Sequence, residues 1–237
     1  MEPTLSLFID CTKSNLLNGA RSFAGKSLHD VSTPALNPYE QALSALLPAL
    51  SFCQIRLYGF GCATSGSTST FPFSRDGSPL ADAAATLALY RKSIPTVALA
   101  GPTCFAPSIK RALQVYEKCT RKRGLHFSLI LCDSPANSFK DTYAALVEAS
   151  KVPLSVLLLG VGDGPWADMH AFQTAVHAPP TPGTGSRKYN NCNFVEMEAV
   201  RAAVGEGGSL TSALAAALLA DLPRQLQDLT RKGMLKK

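Results

Sequence analysis

Three apolar runs constrain this chain more than anything else in it: Leu5 to Ile9, His126 to Cys132 and Leu154 to Val161. Each has strand length and little polar alternation, which is the pattern of a strand buried on both faces. Helical periodicity separates them. The spacing predicts helices from Asn37-Pro38 to about Ser51, from Leu80 to Ser93, from a first turn holding Pro107 to about Lys122, from Phe139 to Lys151 and from Trp166 to Thr174, followed by a long Ala/Leu-rich helix from Ser209 to Lys232 interrupted at Pro223. Gln54 to Phe60 and Cys192 to Val195 read as further strands, with Phe71-Pro-Phe73 as a possible edge strand. Strands alternating with helices imply an α/β fold, doubly wound, with a mainly parallel sheet covered on both faces. No internal repeat or linker interrupts residues 1–237, which read as one domain.

Two of the runs end on aspartate, Asp10 and Asp133. In a doubly wound sheet the ligand crevice lies beyond the carboxyl ends of the strands where the winding reverses, and these two strands are the natural neighbours there. Asp10, Thr12 and Ser14 stand at i, i+2 and i+4, so an extended segment points all three the same way while Cys11 and Lys13 face elsewhere. Gly101-Pro102-Thr103 offers another hydroxyl, just before a helix, from a third loop. Carboxylates with hydroxyls are hard oxygen donors, suited to Mg²⁺ or Mn²⁺ and poorly suited to zinc. The D-x-T-x-S string taken alone also reads as a strand ending in a capped turn.

Other chemistries find less support. The seven cysteines are odd in number and form no C-x-x-C pair, which fits reduced thiols and neither a disulfide framework nor a zinc ribbon. Cys11, Cys104 and Cys132 adjoin the proposed site residues and read as apolar filler. The four histidines, at 29, 126, 170 and 177, make no ligand spacing and read as surface or packing residues. Gly59-Phe-Gly61 lacks the third glycine of a dinucleotide loop, and a phosphotransferase using Asp10 would want a second acid where Thr12 stands. The net charge of +6 gathers at Arg121-Lys122-Arg123 and at the C-terminus, where cations suit helix ends; no aromatic residues interleave with them, so nucleic acid is not expected. The first residues carry no basic region and too short an apolar run for a signal peptide, and no stretch reaches membrane-spanning length, so a cytoplasmic setting is expected.

Asp10-Cys-Thr12-Lys-Ser14-Asn15, Asn37-Pro-Tyr39-Glu40-Gln41-Ala42, Tyr58-Gly-Phe60-Gly61, Gly101-Pro-Thr103-Cys-Phe105-Ala-Pro107, Asp133 and Val161-Gly-Asp163-Gly-Pro-Trp166 together resemble the copine-type von Willebrand factor A (vWA) domain, found in copines and in plant copine-like RING-finger ubiquitin ligases. The resemblance implies a metal-ion-dependent adhesion site (MIDAS). Ser14 and Thr103 match its hydroxyl ligands, Thr12 the middle of its D-x-S/T-x-S motif, and Asp10 and Asp133 its carboxylates. It also implies a non-enzymatic module in which an acidic residue of a protein partner completes the coordination of Mg²⁺ or Mn²⁺. A metal-dependent hydrolase or transferase, or a subunit of a ubiquitin-ligase pathway, is the alternative. Asp133-Ser134-Pro135 replaces the family's common Asp-Gly, which alters that turn. C2 domains and a RING are missing from these residues, so membrane association and intrinsic ligase activity do not follow.

Overall fold

The computed structural model describes residues 3–118, 124–178, 185–205 and 207–235. The basic triplet Arg121-Lys122-Arg123, Cys119 and the terminal Lys236-Lys237 lie outside the described residues.

Six strands form one sheet: β1 (Thr4–Asp10), β2 (Gln54–Phe60), β3 (Thr70–Pro72), β4 (His126–Cys132), β5 (Leu154–Gly160) and β6 (Cys192–Glu196). Their spatial order is β3-β2-β1-β4-β5-β6. All neighbours pair in parallel except the short edge strand β3, which runs antiparallel to β2. The chain starts in the middle, winds outward through β2 and β3, then crosses back to lay β4 on the other side of β1. The reversal therefore falls between β1 and β4, the two strands that end on aspartate.

Alternating side chains feed two cores. On one face Leu5, Leu7 and Ile9 of β1, Leu57 of β2, Leu129 and Leu131 of β4 and Leu157 and Leu159 of β5 are buried. Helices α1 (Pro38–Leu46), α2 (Ala83–Ser93), α6 (Met197–Val204), α7 (Leu210–Leu218) and α8 (Leu222–Arg231) cover this face through Tyr39, Leu43, Tyr90, Met197, Leu214, Leu218 and Leu229. On the other face Phe8, Phe60, Ile130, Leu158 and Phe194 meet α3 (Ala106–Lys118), α4 (Phe139–Ala149) and α5 (Ala167–His177) through Ile109, Leu146, Met169 and Phe172. Strands β1, β4 and β5 are buried along their whole length, as their unbroken apolar character requires.

Local signals explain most helix ends. Asn37 caps α1 reciprocally with Glu40: the Asn37 side chain accepts from the Glu40 N–H, and the Glu40 carboxylate accepts from the Asn37 N–H, both at 2.9 Å. Pro48 leaves α1 shorter than expected, because it has no N–H to continue the ladder and Leu47–Leu50 tightens into a 3-10 turn. The expected long C-terminal helix is two helices, with Pro223 in the first turn of α8. Helix α6 was not anticipated. Its eight residues are too few to show a helical period, and only Met197 of it is buried. Among the described residues no helix is long and apolar enough to cross a membrane.

Candidate metal centre

Past the end of β1 the backbone turns at Thr12, and Lys13–Leu16 forms a single 3-10 turn. Neighbouring loops lace this segment down. The Cys11 N–H donates to the Phe60 carbonyl at 2.8 Å, the Lys13 N–H donates to the Ala100 carbonyl at 2.8 Å, and the Ala100 N–H donates back to the Cys11 carbonyl at 3.2 Å. Gly61 sits against it at φ +75°, and a Cβ there would come within 2.4 Å of the Thr12 methyl. The glycine ending β2 is thus required both by its backbone conformation and by the close approach of Thr12.

All five residues singled out from the sequence converge here. The Thr12 and Ser14 hydroxyls lie 2.9 Å apart, and Ser14 donates to Asp133 Oδ1 at 2.9 Å. Thr103 Oγ1 stands 3.5 Å from Thr12 Oγ1. Asp10 Oδ1 accepts the Thr12 N–H at 2.9 Å, while Asp10 Oδ2 is buried and has no hydrogen-bond partner. Asp10 and Asp133 are both fully buried and close enough for their charges to repel.

Ser134 joins the cluster, an outcome the Asp-Ser-Pro turn did not foretell. Its hydroxyl lies 3.0 Å from Thr103 Oγ1 and donates to Asp133 Oδ1 at 3.3 Å. Since Ser14 and Ser134 both direct their protons to Asp133, Thr12 donates to Ser14, and Thr103 shares its one proton between Ser134 and Thr12. The hydroxyl protons therefore all run toward one carboxylate.

Electrostatically the centre lacks positive charge. Burial, and then the charge of Asp133, pushes the Asp10 carboxyl well above the usual carboxylate range. Burial likewise lifts Asp133 to about 6, against the lowering effect of its bonds from Ser14, Asn18 and Ser134. Two carboxylates share a buried pocket with hydroxyls, an unpartnered oxygen and no cation among the described side chains that contact them. The donors fit a hard divalent ion: all are oxygens, and the orphaned Asp10 Oδ2 has an unmet need for a positive partner. Among the described residues no three His, Cys, Asp or Glu side chains cluster as ligands, so a divalent ion here would draw on the hydroxyls for the rest of its donors.

A surrounding web of residues was less visible from sequence. Tyr39 donates to Asn15 Oδ1 at 2.8 Å, and the Asn15 amide spans the Thr12 and Asp10 carbonyls at 3.1 and 3.3 Å. His29 lies 2.8 Å from the Asp10 carbonyl through Nε2 and 2.8 Å from the Tyr90 hydroxyl through Nδ1, so the proton sits on Nε2 and Tyr90 donates. It stacks on Tyr39 at 4.3 Å, and burial lowers it to about 4, keeping it neutral. His29 is thus a packing histidine that also fixes the backbone under Asp10. Cys11 and Cys132 lie in the two apolar cores, pointing away from the hydroxyls.

Asp163 braces the centre from the loop after β5. It accepts the Arg21 and Ser22 N–H groups at 2.7 and 2.9 Å, and its own N–H donates to the Asn18 carbonyl at 2.8 Å. Asn18 in turn donates to the Asp133 carbonyl oxygen and to Asp133 Oδ2 at 2.9 and 3.0 Å. Asp163→Ala removes both acceptors for the loop and is expected to cost roughly 1–2 kcal/mol of stability. It should also expose the bond after Arg21 to trypsin; unchanged melting and digestion would show that the clasp carries no strain-bearing role.

A family model described as Copine matches residues 27–237. Over 242 residues the chain is 34% identical to "Copine family protein 1" of Caenorhabditis elegans, covering 99% of this chain and 21% of that protein. It is 34% identical over 243 residues to the E3 ubiquitin-protein ligase RGLG5 of Arabidopsis thaliana, covering 96% and 54%. The chain therefore spans about half or less of the length of these relatives. Among solved structures, it resembles the SpRpn10 vWA domain with a TM-score of 0.55 at 11% identity, covering 83% of this chain and 88% of that one. It also resembles the manganese-loaded TRAP protein of Plasmodium vivax, with a TM-score of 0.53 at 14% identity and coverages of 86% and 72%. The sheet and its flanking helices have the Rossmann-like vWA architecture, and the chain belongs to the copine family.

Proposed function

We propose that this chain is a metal-ion-dependent protein-binding module, non-catalytic and cytoplasmic, that takes up Mg²⁺ or Mn²⁺ through Asp10, Thr12, Ser14, Thr103 and Asp133 and presents it to an acidic residue of a protein partner. The observation that carries this reading is the pair of buried carboxylates set among hydroxyls, with Asp10 Oδ2 left without a partner. When bound, the ion supplies the positive charge the pocket lacks and a place for a foreign carboxylate.

The rim supports a protein as the other party. Leu16 and Leu17 follow Ser14 in the same turn and are 49% and 76% exposed, and the Leu17 N–H donates to the Ser14 carbonyl at 2.8 Å. Two leucines held out to solvent beside a polar centre suit a partner whose acid is flanked by apolar side chains. Lys13 and Arg21, both exposed, add charge complementary to an acidic surface. A hydrolytic role finds less support: His29 is neutral, buried and spent on the Asp10 carbonyl and Tyr90, so among the described residues no free imidazole stands beside the hydroxyls.

Calorimetric titration with Mg²⁺ and Mn²⁺ tests the reading. Wild type should bind one ion, and Ser14→Ala or Thr103→Ala should weaken binding about tenfold or more. No heat at millimolar metal would end it, and turnover of a phosphoester by the metal-loaded chain would replace it with an enzyme.

A further inference from the structure

On the α3 side of the sheet, away from the carboxyl ends of β1 and β4, a cavity of about 250 Å³ opens between β2, the residues after β3 and α3. Arg56 and Tyr58 line it because they alternate onto the same face of β2, and Arg111 and Lys118 line it because they stand seven residues apart, two turns, on α3. Pro72 and Asp76 close the remaining side. Three cations thus face one carboxylate, Asp76, which accepts the Ser78 N–H through Oδ1 at 3.0 Å and feels the charge of Arg56 without an ion pair within 4 Å, so the cavity keeps an excess of positive charge.

The two arginines are half-buried, yet neither has a carboxylate within 4 Å among the described residues. Arg56 donates from Nη1 to the Gly77 carbonyl at 2.8 Å, and its buried Nε has no acceptor. Arg111 donates from Nε to Thr70 Oγ1 at 3.3 Å and lies over the Tyr58 ring, 5.9 Å from its centre. Their backbone and aromatic contacts therefore fix both guanidinium groups at the cavity wall without neutralising them. A half-buried arginine ordinarily finds an acid, because partial desolvation makes an uncompensated cation costly. Two guanidinium forks and a lysine around one cavity suit a dianionic tetrahedral group, whose three oxygens can accept from all of them at once where a carboxylate offers two, and the small volume admits little beyond one headgroup.

We infer that this cavity is a binding site for a phosphate monoester carried on a small polar body, held by Arg56, Arg111 and Lys118. The site is separate from the metal centre and stands or falls independently of it. Phosphate of this kind comes free in solution or at the head of a lipid, and both sources present the same group.

The test uses the full chain in EDTA at low ionic strength, titrated calorimetrically with inorganic phosphate and with inositol 1,4,5-trisphosphate. Wild type should take up one molecule of the trisphosphate, more tightly than inorganic phosphate. Arg111→Gln should weaken it about tenfold and exposed Lys118→Gln a few-fold, while Lys92→Gln on the opposite face of the sheet should leave it unchanged. Melting curves check that Arg111→Gln is folded, and Lys118→Gln keeps the test decisive if it is not. Sedimentation with phosphatidylcholine vesicles containing phosphatidylinositol 4,5-bisphosphate, competed by the trisphosphate, assigns the lipid source; trisphosphate binding without vesicle binding assigns the soluble one. No heat with either probe, or equal weakening by Lys92→Gln and Lys118→Gln, overturns the site.

Discussion

Saturating Mg²⁺ at neutral pH is expected to raise the melting temperature of this chain by roughly 5–10 °C, and Asp10→Asn is expected to abolish that rise without lowering the metal-free melting point. A ligand that binds only the folded state at a hundred times its dissociation constant contributes about 2.7 kcal/mol, which for a chain of this size corresponds to several degrees. The second half of the prediction comes from the local geometry. Asp10 Oδ1 accepts the Thr12 N–H, and an asparagine carbonyl can keep that bond. Asp10 Oδ2 has no partner within hydrogen-bonding distance, and a neutral amide in place of the carboxylate removes the repulsion with Asp133. A buried unpaired amide costs about 1–3 kcal/mol, and a buried charge facing a like charge costs at least as much. The variant therefore exchanges one penalty for another and loses the cation. Scanning fluorimetry of both proteins with and without Mg²⁺ reads the result. A variant that still responds to metal, or a wild type that does not, would show that Asp10 is not part of a cation site.

The residues behind this prediction were legible in the sequence because they sit where strong local signals end. β1 and β4 announce themselves through unbroken apolar runs, so the aspartates that close them could be placed at adjacent strand ends before any coordinates were known. Topology then did the rest, since a sheet that reverses between β1 and β4 must bring those ends together. Residues that hold the site from outside gave no such signal. Asn18, His29 and Asp163 act through bonds between segments more than a hundred residues apart or inside an irregular stretch with neither period. Val161-Gly-Asp163-Gly-Pro-Trp166 stood out as a motif, but its role needs the Asn18 loop beside it. Gly162, at φ +88°, would place a Cβ 2.6 Å from the Asn18 carbonyl, and only the folded contact reveals that constraint. Ser134 differs again: read as a departure in the turn, it adds a hydroxyl that folding turns inward to Asp133.

Protons should compete with the metal, and the competition has a definite pH window. Asp133 has its folded-state pKa raised, to about 6 from 3.8, so the metal-free native chain binds a proton there that the unfolded chain does not. Its contribution favours the native state below the unfolded value and is lost as pH rises through about 6, at a cost of about 3 kcal/mol once fully ionised. Asp10 works in the same direction. His29 works in the opposite one: its folded-state pKa is lowered to about 4 from 6.5, so stability falls as pH drops below 6.5 and the unfolded chain takes up the proton. Buried His126 adds to that fall. Without metal the two effects oppose each other between pH 6.5 and 4, and the melting temperature should vary little across that range. With Mg²⁺ the aspartates are held ionised and the histidine effect is left uncompensated. The Mg²⁺-induced rise should therefore be full at pH 7.5, shrink through pH 6 and vanish near pH 5, while Asp10→Asn shows no metal-dependent difference at any pH. A rise that persists undiminished at pH 5 would mean that the ion, wherever it binds, is not competing with protons for Asp10 and Asp133.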